Sequence, residues 1–107
     1  MIRRMTLVRK AAHLTDEEFR ARWIQHSDLG RQLKGVIGYR LNPIVVKPPG
    51  CDWDGVAEFW FESIDAAEAA FSEEPIASAV RKDAASFLAA AVAFFVEENV
   101  VIPPPSA

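Results

Sequence analysis

Two stretches of this chain put large apolar side chains on both faces of a strand, which restricts the folds open to it. In Gly55-Val56-Ala57-Glu58-Phe59-Trp60-Phe61, residues Ala57, Phe59 and Phe61 point one way, while Val56, Glu58 and Trp60 point the other. In a final strand expected over Val92 to Val101, Phe94 and Val96 share one face and Phe95 takes the other. A sheet covered by helices on one side only should show polar residues on its open side. Both faces of this sheet therefore need a cover. A second copy of the chain is the simplest second cover, since symmetric dimers are the commonest oligomers.

Local signals place the other elements. Met1 to Arg9 alternates loosely through Ile2, Met5, Leu7 and Val8 and reads as the first strand. Thr15 with Glu18 three residues on forms a capping box, and Asp16 and Glu17 suit the positive end of the helix dipole. That helix is expected to reach about Leu33 and stop before Gly35. Gly35 to Val46 reads as the second strand, with Ile37, Tyr39 and Leu41 on one face and Pro43 making its far end an edge or a bend. Lys47 to Asp54 is a loop by composition. Ser63 or Asp65 caps a second helix that breaks near Ser72, and Pro75 suits the first turn of a further helical stretch reaching about Ala90, bent around Asp83.

The order strand, helix, strand, strand, helices, strand is the split β-α-β pattern: an α+β domain with a four-stranded antiparallel sheet and helices on one face. At 107 residues the chain supports one such domain, expected over 1–102 with a Pro-rich tail at 103–107. The net charge of −3, with basic and acidic residues interleaved, argues against a nucleic-acid partner. No apolar run approaches the roughly 20 residues that span a bilayer, and nothing after Met1-Ile2-Arg3-Arg4-Met5 resembles a signal peptide. No membrane association and a cytoplasmic location are expected. The single cysteine, Cys51, excludes an internal disulfide and a cysteine-based metal cluster, and no neighbouring base in sequence activates it.

One polar residue sits where the first helix should be apolar. Phe19, Trp23 and His26 follow helical spacing, continued by Gly30 and Leu33, so His26 falls near the centre of the buried stripe. An imidazole aimed at a core must find a partner or line a cavity, because burying it unpaired costs about 1–3 kcal/mol. The second histidine, His13, precedes the helix in a loop and is expected to face solvent. Two histidines with scattered carboxylates do not have the spacing of a metal site.

Phe19-x-x-x-Trp23-x-x-His26, Leu33-Lys34-Gly35-Val36-x-Gly38-Tyr39-x-x-Asn42, Trp53 to Phe61, and Phe95-Val96-Glu97-Glu98-Asn99-Val100-Val101 together resemble the EthD-like family. The resemblance covers nearly the whole chain. It implies a dimeric α/β barrel, in which two ferredoxin-like sheets pack face to face as a homodimer. In relatives with isomerase or cyclase chemistry, a helix histidine and a strand tyrosine face a largely apolar pocket; His26 and Tyr39 are the matching positions here. Where many relatives carry a histidine or proline after the helix histidine, this chain has Ser27 and Asp28.

The resemblance thus implies a protein for a small hydrophobic metabolite: a cofactor-free isomerase, lyase or cyclase acting on a carbonyl or aromatic compound. His26 would be the acid–base group and Tyr39 the hydrogen-bond donor, with no metal and no organic cofactor. An imidazole with a pKa of about 6.5 exchanges protons near neutrality, and a phenol with a pKa near 10 stays protonated to donate to an oxyanion. Phe19, Trp23 and Trp53 are the aromatic candidates for ligand contact, Trp53 from a Pro-Pro-Gly loop that could close over a pocket mouth. Trp23 and Trp60 read as core and interface anchors more readily than as ligand stackers, and Glu58 as a dimer salt-bridge partner.

Other readings stay open. His26 and Tyr39 could bond each other or backbone carbonyls within a packed core. The protein could be a non-catalytic binding or accessory protein, giving ligand binding without product. It could instead be a cofactor-independent monooxygenase of the same barrel group, consuming oxygen with an electron-rich phenol. Enzymatic activity is therefore an open expectation at this stage.

Overall fold

The computed structural model describes residues 1–105. Its elements in chain order are β1 (Ile2–Lys10), α1 (Asp16–Gly30), β2 (Gly38–Pro43), β3 (Gly55–Phe61), α2 (Ile64–Ala70), α3 (Ile76–Ala85) and β4 (Leu88–Val96). The strands form one sheet in the order β2-β3-β1-β4. All three neighbouring pairs are antiparallel. Because β1 and β2 both run against β3, and β3 and β4 both run against β1, the chain makes two interleaved split β-α-β units. This is the ferredoxin-like α+β arrangement. Of the expected tail at 103–107, residues 103–105 carry no regular structure and the last two lie outside the described residues.

Capping chemistry sets the helix starts. The Thr15 hydroxyl accepts from the Glu18 N–H at 3.1 Å, and the Glu18 carboxylate accepts from the Thr15 N–H at 2.9 Å. Ser63 rather than Asp65 caps α2, accepting from the Ala66 N–H at 3.1 Å. Pro75 is the N-cap of α3 and supplies no side-chain cap.

Several boundaries differ from the sequence expectation, and β2 covers Gly38–Pro43 rather than Gly35 to Val46. Helix α1 ends at Gly30 rather than near Leu33, and the chain turns through residues 31–35 to Gly35, whose φ of +87° lies in the left-handed region that glycine tolerates. Helix α3 ends at Ala85 rather than about Ala90, and β4 begins at Leu88 rather than near Val92. The run Ala89-Ala90-Ala91 has high helix propensity, but pairing with β1, in which Val8 faces Ala91 and Arg9 faces Ala90, holds it extended. Tertiary pairing overrides local preference there, and Val100 and Val101 lie beyond the strand.

The strand register sorts the side chains into two layers. Arg4, Thr6 and Val8 of β1 lie beside Phe59, Ala57 and Gly55 of β3 on the helix side, with Tyr39 opposite Phe59 and Leu41 opposite Ala57. Helices α1 and α3 cover this face, and the core beneath them holds Phe19, Trp23, Phe61 and Phe87, each no more than 2 % exposed. Phe59 stacks on Tyr39 and meets Phe71 edge-on. On the other face Met5 lies opposite Phe94 and Leu7 opposite Val92. Both β4 side chains there are exposed, Phe94 by 41 % and Val92 by 48 %. Trp60 lies between the guanidinium groups of Arg3 and Arg40 at 5.3 and 5.2 Å, and Arg3 pairs with Glu58 at 2.8 Å. Strands β3 and β4 thus carry aromatic groups on both faces, and within one chain only one face is covered.

A polar clamp fixes the long β2–β3 loop. Asp54, 6 % exposed, accepts from the Lys10 N–H at 2.8 Å and pairs with Lys47. This ties the loop to the end of β1 beside α1.

Candidate functional site

Helix α1, helix α3 and the sheet enclose an apolar cavity of about 190 Å³, lined among others by Trp23, His26, Tyr39, Phe59, Val80 and Ala91. They come from five elements: Trp23 and His26 from α1, Tyr39 from β2, Phe59 from β3, Val80 from α3 and Ala91 from β4. The structure therefore brings His26 and Tyr39, 13 residues apart in sequence, to one cavity.

His26 is 8 % exposed, and its Nδ1 lies 2.6 Å from Oδ2 of Asp83 on α3. Asp83 also accepts from Arg22, one turn before His26, with Nη1 at 3.2 Å from Oδ2. The Arg22 and His26 hydrogen bonds more than offset partial burial and hold the Asp83 carboxyl below its usual range. Asp83 is thus ionised at neutral pH and can only accept, so Nδ1 of His26 donates to it, and in the neutral imidazole the lone pair then lies on Nε2. Nε2 has no hydrogen-bond partner among the described residues, nor is it sealed from open space. The ring rests at 5.2 Å on Phe87, which also receives the Arg22 guanidinium at 4.8 Å. A carboxylate orients the imidazole and an aromatic wall fixes its plane.

Tyr39 reaches the same region because Gly30 makes room. A Cβ at position 30 would stand 2.8 Å from both Cε2 and the hydroxyl of Tyr39, closer than such atoms approach. Gly30 is one turn beyond His26, so the phenol lies against α1 beside the imidazole's turn. Tyr39 stacks on Phe59 at 4.2 Å with the rings 14° from parallel. Burial raises its pKa to about 12, although Arg31 acts in the opposite direction. At neutral pH the group is a proton-bearing donor in an apolar wall, and it finds no hydrogen-bond partner among the described residues.

The other aromatic candidates separate. Trp23 lines the cavity. Phe19 does not; it is packed in the core against Trp23 at 5.2 Å and Phe87 at 6.3 Å. Trp53 is half-buried in the β2–β3 loop, 5.9 Å from the Arg9 guanidinium and away from the cavity lining. The Asp54 clamp holds that loop to the end of β1. His13 is exposed, and Cys51 is a half-buried free thiol. Glu58 is satisfied within its own chain by Arg3 and by the Asn42 amide at 2.9 Å. Among the described residues no three His, Cys, Asp or Glu side chains converge as metal ligands. Among the described residues no helix is long and apolar enough to cross a membrane.

Sequence reasoning missed Asp83, the group that turns a buried histidine into an oriented pair. Its signal lay in the same periodicity that singled out His26: Ala77 and Val80 form the buried stripe of α3, and Asp83 continues it three residues on. Only the packing of α1 on α3 shows that the two polar interruptions meet.

The pair carries a pH signature. The folded-state pKa of Asp83 is depressed, so its stabilising contribution is complete above the unfolded value of about 3.9 and is lost as pH falls through the folded value. Urea unfolding from pH 7 to pH 2 should show stability falling below about pH 4. Asp83→Asn should be less stable at neutral pH and have a flatter acid limb. An acid limb identical to wild type would show that the Arg22–Asp83–His26 contacts do not persist in solution.

An EthD domain model matches residues 11–91. Solved structures with the same fold include an EthD family protein from Bacillus halodurans C-125, at TM-score 0.78 and 20% identity over 92% of this chain and 99% of that one. The hydroxynitrile lyase of Passiflora edulis matches at TM-score 0.74 and 13% identity over 95% and 96% of the two chains. A dimeric ferredoxin-like protein of unknown function from Thermobifida fusca YX matches at 0.70 and 20% over 89% and 88%. No curated protein matches the chain.

Proposed function

This chain belongs to the EthD family, and from that premise we propose that it is a cofactor-free isomerase, lyase or cyclase for a small carbonyl compound. One observation carries the reading. His26, oriented by Asp83 at 2.6 Å through Nδ1, and the protonated Tyr39 line a single apolar cavity. In the proposed step, Nε2 of His26 removes a proton from the carbon beside a carbonyl. The Tyr39 hydroxyl donates to the enolate oxygen that forms, and the imidazolium returns the proton to the same or a neighbouring carbon. Asp83 is a positioning residue that steadies the imidazolium while it holds the proton. A fold relative is a hydroxynitrile lyase, so this scaffold has housed lyase chemistry; that support is an analogy of fold.

The test is solvent exchange. With small cyclic ketones and lactones in deuterium oxide, NMR should show exchange beside the carbonyl well above the buffer rate. Exchange at the buffer rate for compounds that demonstrably bind would leave a binding protein and refute the enzyme.

We further propose that the working unit is a homodimer closed through the open sheet face. Met5, Leu7, Val92 and Phe94 form an apolar stripe there that no element of the same chain covers, and a dimeric protein of the same fold is known. Sedimentation equilibrium should return about twice the chain mass of 11.9 kDa. A monomer at micromolar concentration would refute the dimer.

A further inference from the structure

The helix side of β1 carries an arginine where its neighbours are apolar or small. Arg4 lies between Phe59 of β3 and Phe95 of β4 in the sheet register and lines the same cavity as His26. Its guanidinium stacks 3.9 Å over the Phe71 ring, and Nη1 donates to the Thr6 hydroxyl at 3.1 Å. Among the described residues no carboxylate pairs with it. The other basic side chains in the lining are engaged: Arg81 donates to the Phe71 carbonyl at 3.1 Å and pairs with Glu74 at 3.3 Å, and His26 is held by Asp83. Burial lowers the Arg4 pKa, as expected for a desolvated charge with no counter-ion.

A guanidinium partly withdrawn from water gains from an anion that completes it, and arginine offers a planar fork that matches a carboxylate. Nε and Nη2 make no hydrogen bond to another described residue, nor are they sealed from open space. Arg4 and Phe71 also border an open cleft of about 440 Å³ flanked by Glu68 and Phe94, so the arginine stands between that cleft and the inner cavity. Size limits the partner. A dry apolar cavity of about 150 Å³ holds benzene. One of about 190 Å³ therefore admits a single six-membered ring with a small substituent.

We propose that Arg4 is the specificity-determining residue of this site and that the ligand is a small organic acid of about one ring, its carboxylate paired with the Arg4 guanidinium. This rests on the reading of the cavity as the ligand site. It narrows the substrate class from carbonyl compounds in general to those bearing a carboxylate. It also gives the unpaired positive charge of Arg4 a role that the His26–Asp83 pair does not use.

Benzoate and benzamide, alike in size and shape, test it on the full chain at pH 7, where the carboxylic acid is ionised. Titrations followed by the His26 ring resonances should show benzoate binding at least about tenfold tighter than benzamide. That ratio should fall to about one in Arg4→Met and be partly kept in Arg4→Lys, which retains charge without the planar fork. Equal affinities in the wild-type protein, or a ratio unchanged by Arg4→Met, would overturn the role of Arg4 and leave the cavity as a ligand site. If neither compound at millimolar concentration moves the His26 signals, the cavity reading itself fails and the assignment of Arg4 goes with it.

Discussion

Deuterium exchange catalysed by this protein should fall about 100- to 10,000-fold when His26 is replaced by alanine, the range a positioned general base contributes. The expectation follows from what the imidazole holds in place. Its Nδ1 is taken by an ionised Asp83, so the substitution removes the one basic nitrogen identified in the cavity. The change also strips Asp83 of one of its two side-chain partners, but Arg22 remains bonded to it and the carboxylate stays satisfied. The fold should therefore survive, with circular dichroism unchanged and only a modest loss in urea midpoint. His26→Gln supplies a control, since it fills the space without a basic nitrogen. Exchange rates in both variants within twofold of wild type would remove His26 from the chemistry, whatever the cavity binds.

The largest loss of stability is expected at Phe87. Substitution by alanine should cost about 3–5 kcal/mol, a substantial part of the 5–15 kcal/mol that holds a typical domain together. Phe87 is 1 % exposed and sits in the two-residue joint between α3 and β4. One face of its surroundings is core, with Phe19 at 6.3 Å; another is the site, with the His26 ring at 5.2 Å and the Arg22 guanidinium at 4.8 Å. The cavity created lies beneath the imidazole, so two readouts should move together. Urea unfolding should shift to lower concentration, and the His26 ring signals should broaden as the wall that fixes its plane disappears. Phe87→Leu keeps most of the volume and should cost less than half as much. A loss below 1 kcal/mol for the alanine variant would mean that the joint is not packed as described.

How much was readable beforehand varies with the range of the interaction responsible. The Thr15–Glu18 capping box is local chemistry, and it forms as its spacing requires. Alternation alone placed β3, from Gly55 to Phe61, and divided its side chains into the two sets that the structure puts on opposite faces. The end of α3 was not legible, because the alanines after Leu88 favour a helix by propensity and are held extended by pairing with β1, which is just over 80 residues away. Trp53 looked free to close over a pocket because its loop is rich in proline and glycine. The Lys10–Asp54 and Lys47–Asp54 bonds that restrain that loop join residues whose proximity no local pattern reports.

The site divides in the same way. Periodicity by itself determined that α1 carries a histidine on its buried stripe and that the sheet bears aromatic rings on both faces, since each follows from a fixed angle per residue within one element. Which groups meet that histidine was decided only when α1 packed on α3 and both lay across the sheet. That packing brought Asp83 to Nδ1, set the Tyr39 hydroxyl against Gly30, and left Arg4 facing a cavity without an acid of its own. Contacts of this kind depend on the relative placement of whole elements, and a one-dimensional pattern carries no information about the distance between two of them.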